Sequence, residues 1–369
     1  MRVVLILDPH DHEPSRMEVV AALLDETLGF RGSEASIYHV VASRLPELAG
    51  WEALAPGPET DAALSRLVDL VTTTFHPKDD RGRFSHWDVV RSACRLIEAD
   101  AQLLERASTV RRAAGIAESL MEIHHARLLL TDTELPRSEV PLETLRWMLR
   151  PFPYLGNYEL LVNAELAGLQ STHGAARLAF CGAGALPLSA ILWHLTTDCQ
   201  VTLIEIDPYV GRLAEQVLDR LGQHGVIKQG AFSIEISDAA DLDPTRFDQV
   251  AIASLVPSRA ATSLARTLAK LGTDGPVLVA RSAVGLTALL AYEPIDLQAI
   301  TDTGLRHVGT VAPVNHVSDE PDLTDLAIEP TSRLLHTAPS TVLNTSEYFM
   351  VDMTSTPAPL AHQSGIPAT

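Results

Sequence analysis

The sequence predicts an α/β protein in two parts, an all-helical region followed by a doubly wound parallel sheet, and three observations carry that prediction. From about residue 59 to 170 apolar residues recur at helical spacing. From Ala176 onward, apolar runs of strand length alternate with helix-length amphipathic segments, the texture of a parallel sheet covered on both faces. A glycine-rich turn lies where the first of those strands meets its helix. At 369 residues the chain is long enough for about two domains with a sizeable core.

Met1 to Leu7 reads as a buried strand, Pro14 to Leu28 as a helix through Val19, Val20, Leu23 and Leu24, and Ile37 to Val41 as a second short strand. Residues 1–55 are therefore expected to form an appended strand and helix extension. The breaker cluster Pro56-Gly57-Pro58 opens a helical domain over residues 56–170. Its helices follow Leu64 to Val71, Val89 to Val110 and Ala113 to Leu130, with loops at Lys78 to Arg83 and Thr131 to Glu139. Residues 171–353 hold the sheet, with strands expected at Arg177 to Cys181, Val201 to Ile206, Ser233 to Ile236, Gln249 to Ala253 and Pro276 to Ala280, and a late one at Glu347 to Met353. Helices fall at Leu188 to His194, Val210 to Leu221 and Ala261 to Leu271. The Pro-, Ser- and Ala-rich tail, 354–369, is expected to be disordered.

Composition narrows the function. Lys and Arg number 28 against 47 Asp and Glu, a net charge of −19, and no basic patch is segregated. Such a surface repels phosphate backbones and anionic membranes, so neither nucleic acid nor a bilayer is an expected partner. No apolar run approaches the roughly 20 residues of a spanning helix. Three cysteines without paired spacing and an N-terminal run too short for a secretory leader suggest a reducing, cytoplasmic address.

The strand ending at Phe180 runs into Cys181-Gly182-Ala183-Gly184-Ala185-Leu186-Pro187 and then a helix. Glycines there let the backbone approach a nucleotide closely, while the helix start offers free N–H groups. The next strand ends in Glu205-Ile206-Asp207, 23 residues after Gly182, where a carboxylate can accept both ribose hydroxyls. After the third strand Asp238 can meet an adenine amino group. Each feature alone is equally a turn or a helix cap; their order along successive strand ends favours one nucleoside-shaped crevice. The absent third glycine and Pro187 suit a lone adenosine better than a pyrophosphate, which favours S-adenosylmethionine over a dinucleotide.

Aromatic faces attract a sulfonium without offering a competing nucleophile. Tyr154 and Tyr158, on the segment joining the two parts, are placed for that role or for packing at the junction. Asn157 can hold the methionine arm or cap a helix. Arg281 and Ser282 follow the fifth strand at the carboxyl edge, where open sheets bind ligands. Cys181 reads as a buried filler. Asp8, His10, Asp11, His12 and Glu13 read as a solvated loop, and His124 and His125 diverge by about 100° on a helix, so no metal site is expected.

Three segments in order, Phe152-Pro153-Tyr154-Leu155-Gly156-Asn157-Tyr158, Phe180 to Leu188, and Arg281-Ser282-Ala283-Val284-Gly285-Leu286, resemble the nicotianamine synthase family over about residues 59–353. The resemblance implies a helical domain packed on a methyltransferase-like Rossmann domain. It also implies use of the aminocarboxypropyl arm of S-adenosylmethionine, with release of methylthioadenosine and an amino-acid or amine acceptor, to make a nicotianamine-like metallophore or related metabolite. The family places a carboxylate from the helical domain near an aromatic hydroxyl; among Glu98, Asp100 and Glu105 that carboxylate is expected at Glu98, with Tyr158 and Tyr154 as its catalytic partners. Gly182, Ala183, Gly184, Glu205, Asp207, Asp238, Asn157, Ser282 and Arg281 are the expected S-adenosylmethionine contacts. Internal cyclisation of the arm to azetidine-2-carboxylate, methyl transfer, and a non-catalytic nucleoside-binding regulatory module remain as alternatives, and a homodimer is allowed.

Overall fold

A computed structural model describes residues 34–48, 54–75, 87–132, 138–169, 176–272, 275–311 and 345–351. The expected strand at Met1 to Leu7, the helix at Pro14 to Leu28, the loop at Lys78 to Arg83 and the tail from Thr354 lie outside these residues. Among the described residues no helix is long and apolar enough to cross a membrane.

The helical part comprises α1 (Glu34–Arg44), α2 (Pro58–Phe75), α3 (Trp87–Ala99), α4 (Ala101–Thr131), α5 (Pro141–Met148) and α6 (Leu155–Leu169). Ile37 to Val41 lies within α1 rather than in a strand. Ile37, Val41 and Leu45 are buried at i, i+4 spacing, so one helical stripe satisfies the same apolar run that alternation suggested for a strand. Asp100 ends α3 and caps α4, its Oδ1 accepting from the N–H groups of Gln102 and Leu103 at 3.0 and 3.1 Å. The Tyr38 hydroxyl donates to Asp100 Oδ2 at 2.7 Å, tying α1 to that cap.

Helix α4 runs 31 residues without the break expected near residue 111. Its buried stripe is rich in small residues, Ala107, Ala113, Ala114 and Ala117, which lets neighbours approach closely. Arg111 Nη1 donates to the Ala288 carbonyl at 2.8 Å and holds the middle of α4 against the sheet part.

The sheet comprises β1 (Arg177–Cys181), β2 (Gln200–Glu205), β3 (Phe232–Ile236), β4 (Gln249–Ile252), β5 (Val277–Ser282), β6 (Leu305–Val311) and β7 (Thr345–Val351). The helices of this part are α7 (Leu188–Thr197), α8 (Pro208–Gln223), α9 (Ser258–Ala269), α10 (Gly285–Leu290) and α11 (Leu297–Thr301). Strand order is β3-β2-β1-β4-β5-β7-β6. The first five are parallel, while β7 runs antiparallel between β5 and β6. This is the methyltransferase-like Rossmann arrangement that the sequence reading expected, and the order reverses at β1 and β4, which places a crevice at their carboxyl ends. Residues Leu188 to His194 of α7 are all buried, as an apolar-all-round segment must be.

One buried network fastens the helical part to the sheet. Glu165 of α6 receives Arg281 Nε and Nη2 from β5 at 2.9 and 3.1 Å, Trp193 Nε1 from α7 at 3.1 Å and the Ser346 hydroxyl from β7 at 2.8 Å. The antiparallel register pairs Arg281 with Ser346, which is why β7 can reach this carboxylate. Both charges are paired and hydrogen-bonded, the condition for burying an ion pair.

Candidate functional site

A cavity of about 610 Å³ lies between α4 and α6 on one side and the carboxyl ends of β1 to β4 on the other. Glu118, Glu122, Tyr154, Asn157 and Tyr158 line its helical wall; Phe180, Gly182 to Ser189, Glu205 to Asp207, Asp238, Arg281 and Tyr292 line the wall formed by the sheet part.

The glycine turn has φ of 77° at Gly182 and 68° at Gly184, a left-handed geometry that glycine adopts without a Cβ penalty. It exposes backbone to the cavity, and the Gly184 N–H donates to Glu205 Oε2 at 3.0 Å. Glu205 Oε1 accepts from the Asp207 N–H at 3.0 Å. The buried carboxylate at the end of β2 is thus held by two backbone donors, each oxygen keeping a further lone pair for a ligand hydroxyl.

The other expected contacts divide. Ala183, Asn157, Asp207 and Asp238 line the cavity. Asp207 also caps α8, accepting from the Tyr209 N–H at 2.7 Å, and Asp238 accepts from the Ala240 N–H at 2.9 Å. Arg281 lines the cavity, buried, with its guanidinium spent on Glu165 and 5.4 Å from the Phe180 ring centroid. Ser282 is displaced from its expected place: it is buried outside the cavity lining, and its Oγ accepts from the Ile295 N–H at 3.2 Å. Side chains alternate along a strand, so neighbours at residues 281 and 282 cannot both face one crevice.

The acid expected at Glu98 is likewise not brought to this cavity. Glu98 is exposed on α3 and does not line the cavity. The acids of the helical part that do are Glu118 and Glu122, one turn apart on α4. The Tyr158 hydroxyl donates to Glu122 Oε1 at 3.3 Å, and Glu122 Oε2 packs against Gly184 of the glycine turn. Tyr292 lines the cavity and favours the ionised form of Glu118. The Tyr154 hydroxyl lies 3.2 Å from Ser65 Oγ of α2. Sequence reasoning missed Glu118, Glu122 and Tyr292. A signal was present, since like charges at i, i+4 on a helix are unfavourable and stand here beside an alanine-rich buried stripe.

Electrostatics follow from this crowding. Burial pushes the Glu118 carboxyl up to about 7, against the pull of Tyr292 and Arg281. Burial, and then the charge of Glu118, hold Glu122 well above the ordinary carboxylate range. Burial with both carboxylates also raises the Tyr158 phenol. Two neighbouring acids in a desolvated wall oppose each other's ionisation. Such a site can take up or release a proton at working pH and favours a cationic ligand.

The comparisons with known proteins agree with this architecture. A family model described as nicotianamine synthase protein matches residues 36–320. The probable nicotianamine synthase 3 of Hordeum vulgare is 28% identical over 309 residues, covering 81% of this chain and 78% of that protein. Nicotianamine synthase 9 of Hordeum vulgare is 30% identical over 276 residues, covering 72% and 71%. A crystal structure of a Glu-to-Gln variant of MtNAS in complex with S-adenosylmethionine superposes with a TM-score of 0.56 at 21% identity, over 85% of this chain and 97% of that one. MtNAS in complex with MTA and tNA gives 0.51 at 22% identity, over 80% and 97%. With most of its length matched, the chain belongs to the nicotianamine synthase family.

Proposed function

We propose that this chain transfers the 3-amino-3-carboxypropyl group of S-adenosylmethionine to the amine of a small amino-acid acceptor and releases methylthioadenosine. The observation that carries this reading is the position of Glu122, which packs against Gly184 of the glycine turn and accepts from the phenol of Tyr158. A proton-accepting carboxylate thereby faces the place where the methionine arm of a nucleoside bound on that turn would lie. Family membership supports the reading, as do the fold relatives solved with S-adenosylmethionine and with MTA and tNA.

In this scheme Glu205 holds the ribose, Asp238 meets the adenine amino group, and the faces of Tyr154 and Tyr158 stand toward the sulfonium and its arm. A sulfonium offers three electrophilic carbons, and the one in line with the nucleophile reacts. The acceptor nitrogen attacks the γ-carbon, a C–N bond forms, and the C–S bond breaks with its electron pair left on sulfur. The positive charge passes to the new ammonium, whose proton goes to the Glu118 and Glu122 pair. Bringing a cation into this acidic wall favours the ionised pair, so substrate binding itself prepares the base.

The test is mass spectrometry of amino acids such as histidine incubated with the full chain and S-adenosylmethionine. An acceptor heavier by one or more aminocarboxypropyl units supports the proposal. A four-membered-ring amino acid formed without any acceptor assigns the chain to internal cyclisation instead, and no turnover in protein that binds the ligand assigns it to regulation. A cytoplasmic address and a metallophore product belong to the same proposal.

A further inference from the structure

Behind the cavity, α2 and α4 bring together Asp61, in the first turn of α2, and the adjacent His124 and His125 of α4. One carboxylate oxygen and two imidazole nitrogens lie within 4.8 Å of one another. His125 Nε2 is 3.0 Å from Asp61 Oδ2. Neighbours on a helix diverge by about 100°, the ground for expecting no shared ion here. The divergence is offset because the two rings meet edge-on, centroids 5.0 Å apart at 69°, and Asp61 enters from a second helix. The other oxygen of that carboxylate, Oδ1, is buried and has no hydrogen-bond partner among the described residues. A buried acceptor left unmade is costly, and a cation would satisfy it.

We propose that Asp61, His124 and His125 form a binding site for one divalent transition-metal ion of the zinc class. Two nitrogens and one oxygen are the donor set of such ions, whereas magnesium and calcium prefer oxygen alone. Bonds of about 2.0–2.1 Å in a tetrahedron put ligand atoms about 3.3 Å apart, so the cluster closes by no more than about 1.5 Å on taking up the ion. His124 is half-buried, and water takes the fourth position. The net charge of −19 draws cations to the chain as a whole.

The place gives the ion a mechanical role. Ser65, one turn beyond Asp61, bonds Tyr154, and the His125 ring stands edge-on to Phe152 with centroids 5.0 Å apart. Phe152 in turn meets Tyr154 and Tyr158 at 6.0 and 5.9 Å. A bound ion therefore fastens α2 to α4 one aromatic layer behind the two cavity tyrosines.

The test is calorimetric titration of the chelator-treated full chain with Zn²⁺, together with visible absorption after adding Co²⁺. One equivalent should bind, with the d–d bands of four-coordinate cobalt. His124→Ala and Asp61→Asn should each weaken binding at least about tenfold, since even outer-shell changes at metal sites cost that much. If Asp61→Asn proves unstable, His124→Gln carries the comparison. Absence of a bound equivalent, or binding that both substitutions leave unchanged, overturns the proposal, the latter because the ion then sits on other histidines.

Discussion

The Glu122 carboxylate packs against Gly184 so closely that a Cβ built at residue 184 would collide with it. Glycine at this position therefore serves twice: it adopts the left-handed φ of 68° and leaves room for an acid from the other part of the chain. Gly184→Ala should lose about 1–3 kcal/mol of stability by thermal denaturation, from backbone strain and displacement of Glu122. Calorimetry on the folded fraction should show weakened S-adenosylmethionine binding; unchanged affinity would separate the turn from the nucleoside.

Glu122→Gln keeps the shape and removes the base. The expected outcome is a fall in kcat of about 10²–10⁴ with S-adenosylmethionine affinity nearly retained. Tyr158→Phe should fall less, since the ring remains to face the sulfonium while the hydroxyl on Glu122 is lost. Parent-like turnover in both variants would reduce the pair to packing.

Glu118 gives the site a pH dependence of determined sign. An acid raised to about 7 in the folded chain binds more protons folded than unfolded between the ordinary carboxylate range and 7. Its effect on stability is therefore unfavourable and grows as pH rises through that window, and it is absent below it. Denaturation of the ligand-free protein from pH 4 to 8 should show this decline, and Glu118→Gln should flatten it. In the same window kcat/KM should rise with pH as the pair ionises in the free enzyme. A pH-independent stability difference between parent and Glu118→Gln would contradict the assignment.

Glu205 holds its position through the N–H groups of Gly184 and Asp207. Glu205→Ala should weaken S-adenosylmethionine binding by about 1–3 kcal/mol, the range for losing charge-assisted hydrogen bonds. Calorimetry reads this directly, and parent affinity in a folded variant would remove Glu205 from the ribose.

Much of the sheet was legible because period and motif agree locally. A strand, a glycine turn, a helix and an acid at the next strand end are all short-range features, and β1, β2 and β4 fall within a residue or so of their expected bounds. What failed depended on distant partners. Ile37 to Val41 fits either period, and only burial against the other helices decides for α1. Glu98 and Glu122 are both acids on helices of the same region, and nothing local says which helix faces the sheet. Ser282 was assigned by adjacency to Arg281, although the pleat sends the two side chains to opposite faces. Strand β6 was missed because its pairing with β7 spans a long stretch of chain.

The measurement that tests the central claim most directly is the fate of the sulfur. Purified full chain is incubated with S-adenosylmethionine and histidine or another amino-acid acceptor, and the nucleoside products are separated by chromatography. Cleavage at the γ-carbon leaves the methyl on the adenosine-bearing sulfur, so the account predicts methylthioadenosine formed in step with loss of S-adenosylmethionine and slowed about 10²–10⁴-fold by Glu122→Gln. S-adenosylhomocysteine as the sole enzyme-dependent product would contradict it, because the methyl carbon, not the γ-carbon, would then be the one the site presents to the nucleophile.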